Sequence, residues 1–143
     1  MSKIPVMLHI RGTQLYQDAD PEVIELTTEG TMERQKEVWE IAYEESDLTG
    51  LAGVTTAFRV GPRGVILRRT GNLENQMIFM EGKRHESLYR IDIGALMIAV
   101  KATKVNSAVT EQGGTLDIHY QIEIEDTAMG NVEYHVEVQP ISQ

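Results

Sequence analysis

Residues Thr115 to Glu125 read Thr-Leu-Asp-Ile-His-Tyr-Gln-Ile-Glu-Ile-Glu, an almost unbroken alternation of apolar and polar side chains. Leu116, Ile118, Tyr120, Ile122 and Ile124 fall on one side; Asp117, His119, Gln121, Glu123 and Glu125 fall on the other. Successive side chains of a strand point to opposite faces, so this segment predicts a β-strand with one buried and one wet face. The same period returns along the chain, at Val6–Arg11, Val23–Thr28, Val54–Val60, Val65–Thr70, Asn75–Glu81, Ser87–Ile91, Gly94–Val100 and Val132–Val138.

Turn chemistry separates these runs. A polar connection from Gly12 to Pro21 carries Asp18 and Asp20. Glu29-Gly30 is expected to end the second strand. Gly61-Pro62-Arg63-Gly64, Gly71-Asn72 and Gly113-Gly114 mark tight turns, and the last hairpin is expected to bend near Ala128-Met129-Gly130. Gln35–Glu45 is ambiguous: Val38, Ile41 and Ala42 sit at helical spacing, whereas Trp39, Ile41 and Tyr43 alternate as a strand face. Counting that segment, about ten strands follow one another at the spacing of an all-β barrel or sandwich. Short loops favour antiparallel up-and-down pairing, and closure into a barrel removes exposed edges.

The 143 residues suit a single domain. No apolar run approaches the roughly 20 residues of a spanning helix, and the N-terminus lacks a signal-peptide apolar region. With no cysteine there is no disulfide, no zinc–thiolate site and no thiol nucleophile, and the chain reads as cytoplasmic. The formal net charge of −9 argues against a nucleic-acid partner, which needs clustered cations. The local basic strip of Arg59, Arg63, Arg68 and Arg69 is short and has Phe58 as its single stacking aromatic. No membrane partner and no cofactor are expected.

The run Tyr43-Glu44-Glu45-Ser46-Asp47-Leu48-Thr49-Gly50, followed by Gly53-Val54-Thr55-Thr56, resembles the YwiB-like proteins of Gram-positive bacteria, a family of unknown function. The resemblance continues through Arg69-Thr70-Gly71, Met77-Ile78-Phe79 with Glu81-Gly82, then His85, Tyr89 and Gly94. It ends at Gly114-Thr115-Leu116-Asp117-Ile118-His119-Tyr120. It implies a calycin-type barrel, the broad class of lipocalins and fatty-acid-binding proteins, and tips Gln35–Glu45 toward strand. It carries no established activity or catalytic residue. No helix pair of the kind that covers the mouth of fatty-acid-binding proteins is apparent here.

Several side chains are candidates for chemistry. Arg69 shares a strand with Val65 and Leu67; turned inward, its guanidinium would need a carboxylate or an anionic ligand. Pairing Thr70 with Asn75 leaves either Arg68 or Arg69 as the inner one. A structural ion pair is the plainer reading. Glu44, Glu45 and Asp47 offer oxygen ligands without EF-hand spacing, and read more simply as a solvated turn. Matching the apolar faces of the last hairpin sets Gln121 opposite His135 and Glu137 opposite His119. The two histidines are then diagonal neighbours about 7–8 Å apart, better suited to a surface than to a metal. His85 and Tyr89, four apart in an extended segment, share a side where acid–base work is conceivable, but no nucleophile is spaced to serve them.

The expected function is an uncharacterised β-barrel that binds a small apolar or acidic ligand inside. The interior set is Trp39, Ile41, Tyr43, Phe58, Leu96, Ile98, Tyr120 and Tyr134, with Arg69, Phe79, His85 and Tyr89 as further ligand contacts. Large rings filling the interior would instead favour an interaction protein acting through its outer surface. Both faces are apolar at Val65-Ile66-Leu67 and Met77-Ile78-Phe79-Met80, which predicts a covered ribbon and a homodimer. The least favoured alternative is an enzyme using His85, Tyr89 and Arg69.

Overall fold

Ten antiparallel strands form one sheet in the computed structural model, which describes residues 3–15, 19–91 and 94–141. They are β1 (Ile4–Leu15), β2 (Glu22–Gln35), β3 (Val38–Glu44), β4 (Val54–Gly61), β5 (Gly64–Gly71), β6 (Asn75–Phe79), β7 (Arg84–Ile91), β8 (Gly94–Thr110), β9 (Gly113–Ile124) and β10 (Thr127–Pro140). Their spatial order is β6-β5-β4-β3-β2-β1-β10-β9-β8-β7, so every sequence neighbour pairs except β6 and β7, which form the two edges, and β1 meets β10. This is the expected up-and-down meander, curled into a nearly closed barrel. One bridge, Glu74 with Arg90, links the β6 and β7 sides of the seam. Nearby, Gly82 N–H donates to Ala102 O at 2.8 Å and Val105 N–H to Glu81 Oε1 at 3.1 Å.

Alternation sorts the side chains. Leu116, Ile118 and Tyr120 are buried, while Asp117 and His119 between them are half-exposed. Val6, Leu8, Met32, Ile41, Phe58, Phe79 and Val136 join them in one continuous core. The ambiguous Gln35–Glu45 segment is strand β3, entered by a turn at Lys36-Glu37 with Lys36 in the left-handed region (φ 60°). A 3-10 turn, Asp47–Thr49, is the one helical element among the described residues.

Four local expectations are corrected. β1 runs on to Leu15, through the stretch from Gly12 expected to be a connection. β2 passes through Gly30 instead of ending there: a Cβ at this position would lie 2.4 Å from Ala42 O, so glycine allows the close approach of β3 that keeps the strand paired. The last hairpin bends at Glu125-Asp126, both at positive φ (49° and 64°), as in a primed two-residue turn. Met129 is instead the extra residue of a β-bulge between Ala128 and Gly130. Finally, β8 continues to Thr110 across a bulge at Thr103 that switches which parity faces inward, from Val100 and Ala102 to Val105.

Registers also differ from the sequence expectation. Arg69, not Thr70, pairs with Asn75, and Leu67 pairs with Met77. In the last hairpin His119 faces Glu133 and His135 faces Asp117.

Candidate functional site

The barrel encloses a cavity of about 400 Å³. Its wall is mainly apolar, with Ile10, Leu26, Leu67, Met77, Ile98 and Ile122 among its residues. Polar side chains from separate parts of the chain enter the same wall, among them Glu45 after β3, Arg69 on β5, Asn75 on β6, Tyr120 on β9 and Tyr134 on β10.

Strand parity explains each placement. Arg69 faces Thr56 across β4–β5, and Thr56 is fully buried, so Arg69 turns inward while Arg68 is exposed. Asn75 continues the inward row of Met77 and Phe79 and is 7% exposed. Glu45 continues the row of Ile41 and Tyr43 and is buried as well. Its carboxylate accepts from Thr56 Oγ1 at 2.5 Å and from Thr49 Oγ1 at 2.9 Å. Such charge-assisted bonds hold a carboxylate that burial would otherwise penalise.

Polar valences nevertheless remain open. Arg69 Nε and both amide atoms of Asn75, Nδ2 and Oδ1, are buried without a hydrogen-bond partner. Arg69 makes no ion pair with any carboxylate among the described residues. Burial pushes the phenols of Tyr43, Tyr120 and Tyr134 above their usual 10.0; the Arg69 charge pulls each back in part. All three therefore serve as neutral hydroxyls at neutral pH.

A family model described as a domain of unknown function, DUF1934, matches residues 8–136. The chain belongs to the DUF1934 family. It is 28% identical over 123 residues to the uncharacterized β-barrel protein YwiB of Bacillus subtilis (strain 168), covering 85% of this chain and 84% of that one. The crystal structure of the ywiB protein from Bacillus subtilis superposes with a TM-score of 0.86 at 20% identity, over 98% of this chain and 94% of the other. At that identity the likeness establishes the fold. The YwiB-like resemblance read from the motifs is thereby borne out.

In this DUF1934 barrel the ligand-contact candidates divide. Arg69, Tyr43, Tyr89 and Tyr120 line the cavity. Phe58 and Phe79 stand behind the wall, fully buried, and back two of its tyrosines: Phe79 against Tyr120 (4.7 Å between ring centroids) and Phe58 against Tyr134 (6.0 Å). Trp39 packs half-buried against the core, with the Arg34 guanidinium 6.0 Å from its ring centroid. Leu96 is half-buried opposite Tyr89. His85 lies outside the cavity wall, opposite Val100, with its buried Nε2 unpaired.

The remaining candidates sit on the outside. Arg59 lies 3.8 Å from Glu40, and Arg63 is exposed. Glu44 accepts from Thr55. His135 Nδ1 lies 2.7 Å from Asp117 and His119 Nδ1 3.8 Å from Glu133. No group of three or more such side chains among the described residues is placed to hold a metal ion. Among the lining residues, sequence reasoning did not single out Asn75 and Gln14, and it placed Glu45 in a solvated turn. Inward parity was the signal available for each; Glu45 and Gln14 are polar and stand where a turn or connection was expected, while Asn75 opens an expected strand but was set opposite Thr70 instead of Arg69.

Proposed function

We propose that this protein is a receptor for a small molecule, held inside the barrel with its apolar body against the aliphatic wall and a hydrogen-bond-accepting end on Arg69. One observation carries the reading: an inward arginine with a buried, unpartnered Nε and no carboxylate partner, at the wall of a cavity of about 400 Å³. That volume falls within the usual range of ligand sites, and a mainly apolar wall with a few convergent polar groups is their common composition. Leaving such a buried group unmatched is costly, so a ligand that accepts from it gains affinity there. An apolar molecule with an acidic or otherwise accepting end meets this description. No cofactor, nucleic acid or membrane enters the proposal. The absence of cysteine is in keeping with the cytoplasm, and among the described residues no helix is long and apolar enough to cross a membrane.

Native mass spectrometry of protein purified from its own host tests the reading. The expected result is a retained small-molecule mass that is released on unfolding and lost in Arg69→Met. Protein that flies empty, with a melting temperature that no small-molecule extract shifts, would sink it.

A second reading has its own observation. Ile66 and Ile78 form a cross-strand pair on the outer face of β5–β6, and with Met80, Val38 and Pro62 they line a shallow groove of about 320 Å³. Their inward neighbours Val65, Leu67, Met77 and Phe79 are already buried in the core. A second copy of this chain covering that ribbon would make a homodimer. Light scattering at micromolar concentration is expected to give twice the chain mass, and Ile78→Glu to give the single mass. A monomer for the unmodified chain removes this reading.

A further inference from the structure

We infer that the bound end of that ligand is a neutral group with a hydrogen-bond donor beside its acceptor, the edge of a carboxamide or lactam, and that Asn75 selects it over a carboxylate. The inference rests on the receptor reading above and deepens it.

Asn75 is opposite Arg69 in the β5–β6 ladder, lines the same cavity, and leaves both Oδ1 and Nδ2 unpaired. Both ends are open, so either assignment of the amide oxygen and nitrogen leaves one donor and one acceptor unpaired. Arg69 can only donate, whereas Asn75 both donates and accepts. The open valences therefore ask for acceptors and one donor. An ionised carboxylate brings acceptors alone; it satisfies Arg69 Nε and Asn75 Nδ2 and turns a lone pair toward Oδ1. A carboxamide edge offers its carbonyl to the donors and its N–H to Oδ1. Both amide atoms are buried, and contact with a ligand needs them turned toward the cavity, a motion that χ2, a broad and soft torsion, allows.

Charge points the same way. The cavity wall holds one formal positive charge, Arg69, and one formal negative charge, Glu45. The Glu45 carboxylate already accepts from Thr49 and Thr56 and interacts with the Tyr43 hydroxyl. A neutral ligand leaves the interior balanced. A carboxylate adds a second anion beside the buried Glu45, and neighbouring like charges are unfavourable.

The test uses the full chain and two matched probe pairs, benzamide with benzoate and hexanamide with hexanoate. Binding is followed by ¹⁵N NMR of the Asn75 side-chain amide and the Arg69 Nε–H. Each amide is expected to bind about tenfold more tightly than its acid, the scale set by one unmatched buried polar group. Asn75→Leu is expected to reduce that preference to about twofold. An acid that binds as tightly as its amide, while shifting Arg69 Nε–H, overturns this inference and leaves the receptor reading standing. An amide preference unchanged in Asn75→Leu overturns it too. If no probe moves a cavity signal, both fall. The paired comparison in the unmodified chain decides the matter by itself should Asn75→Leu not fold.

Discussion

Arg69 and Asn75 face each other across the β5–β6 ladder, and each brings buried, unpartnered polar atoms to one wall of the barrel cavity. A buried polar group without a partner lowers stability, and an interior evolved for stability alone would fill these positions with apolar side chains. The pair is therefore where binding and stability are set against each other.

Asn75→Leu should stabilise the empty protein. It removes two unsatisfied buried atoms and keeps a side chain of similar volume, a change worth about 1 kcal/mol. For a domain of this size that corresponds to a rise of about 2–4 °C in Tm. Thermal unfolding of both proteins in ligand-free buffer checks it. A lower Tm would mean that the Asn75 amide is paired in solution.

Thr56→Val should do the opposite. It keeps the shape but withdraws the fully buried hydroxyl that donates to Glu45 Oε2 at 2.5 Å. Leaving that carboxylate oxygen short of a donor is expected to cost about 1–3 kcal/mol in urea unfolding. An unchanged midpoint would show that water reaches Glu45.

The buried phenols predict an alkaline limit. Tyr43, Tyr120 and Tyr134 all have folded-state values raised by burial above the usual 10.0. Above about pH 10 the unfolded chain releases phenolic protons that the folded one keeps. The stabilising contribution is thus complete below pH 10 and is lost as pH rises further. Tyrosinate absorbance from these residues should appear together with unfolding, followed by circular dichroism. Full ionisation of all the tyrosines in a still-folded protein would contradict their burial.

On the outer surface, His135 carries a pH dependence of its own. Hydrogen bonding to Asp117, then to Glu137, raises its value above the usual 6.5. A raised folded value stabilises fully below the unfolded value and fades as pH climbs through the folded one. His135→Gln should therefore cost more stability at about pH 5.5 than at about pH 9, by an amount limited by solvent screening of this partly exposed site. An equal loss at both values would remove the ion pair as its cause.

The strands were legible because alternation is a local property, and the structure returns them with extensions at their ends. What escaped has specific causes. The bulge at Thr103 changes the inward parity of β8, so the pattern from Val105 onward no longer continues that of Ile98 and Val100. Glu125-Asp126 lacks the Asn-Gly signature of a primed turn, and the glycine of the nearby bulge, Gly130, drew the bend toward itself. Glu45 holds inward parity but is polar, and a polar residue at a strand end reads as the start of a turn; Asn75 opens an expected strand, but the expected pairing with Thr70 hid its place opposite Arg69.

Alternation and turn chemistry determined by themselves that this chain is an antiparallel meander of strands with one dry face, and its ordered motifs marked the family and turned Gln35–Glu45 to strand. Only the tertiary structure decided which polar side chains share the interior. Parity says which face a residue takes within its own strand. Register sets Arg69 against Asn75 instead of a hydrophobic neighbour, and closure carries Glu45, Tyr120 and Tyr134 to the same cavity from positions as much as 89 residues apart in the chain. Those relations depend on the summed pairing of all ten strands, which no single segment encodes.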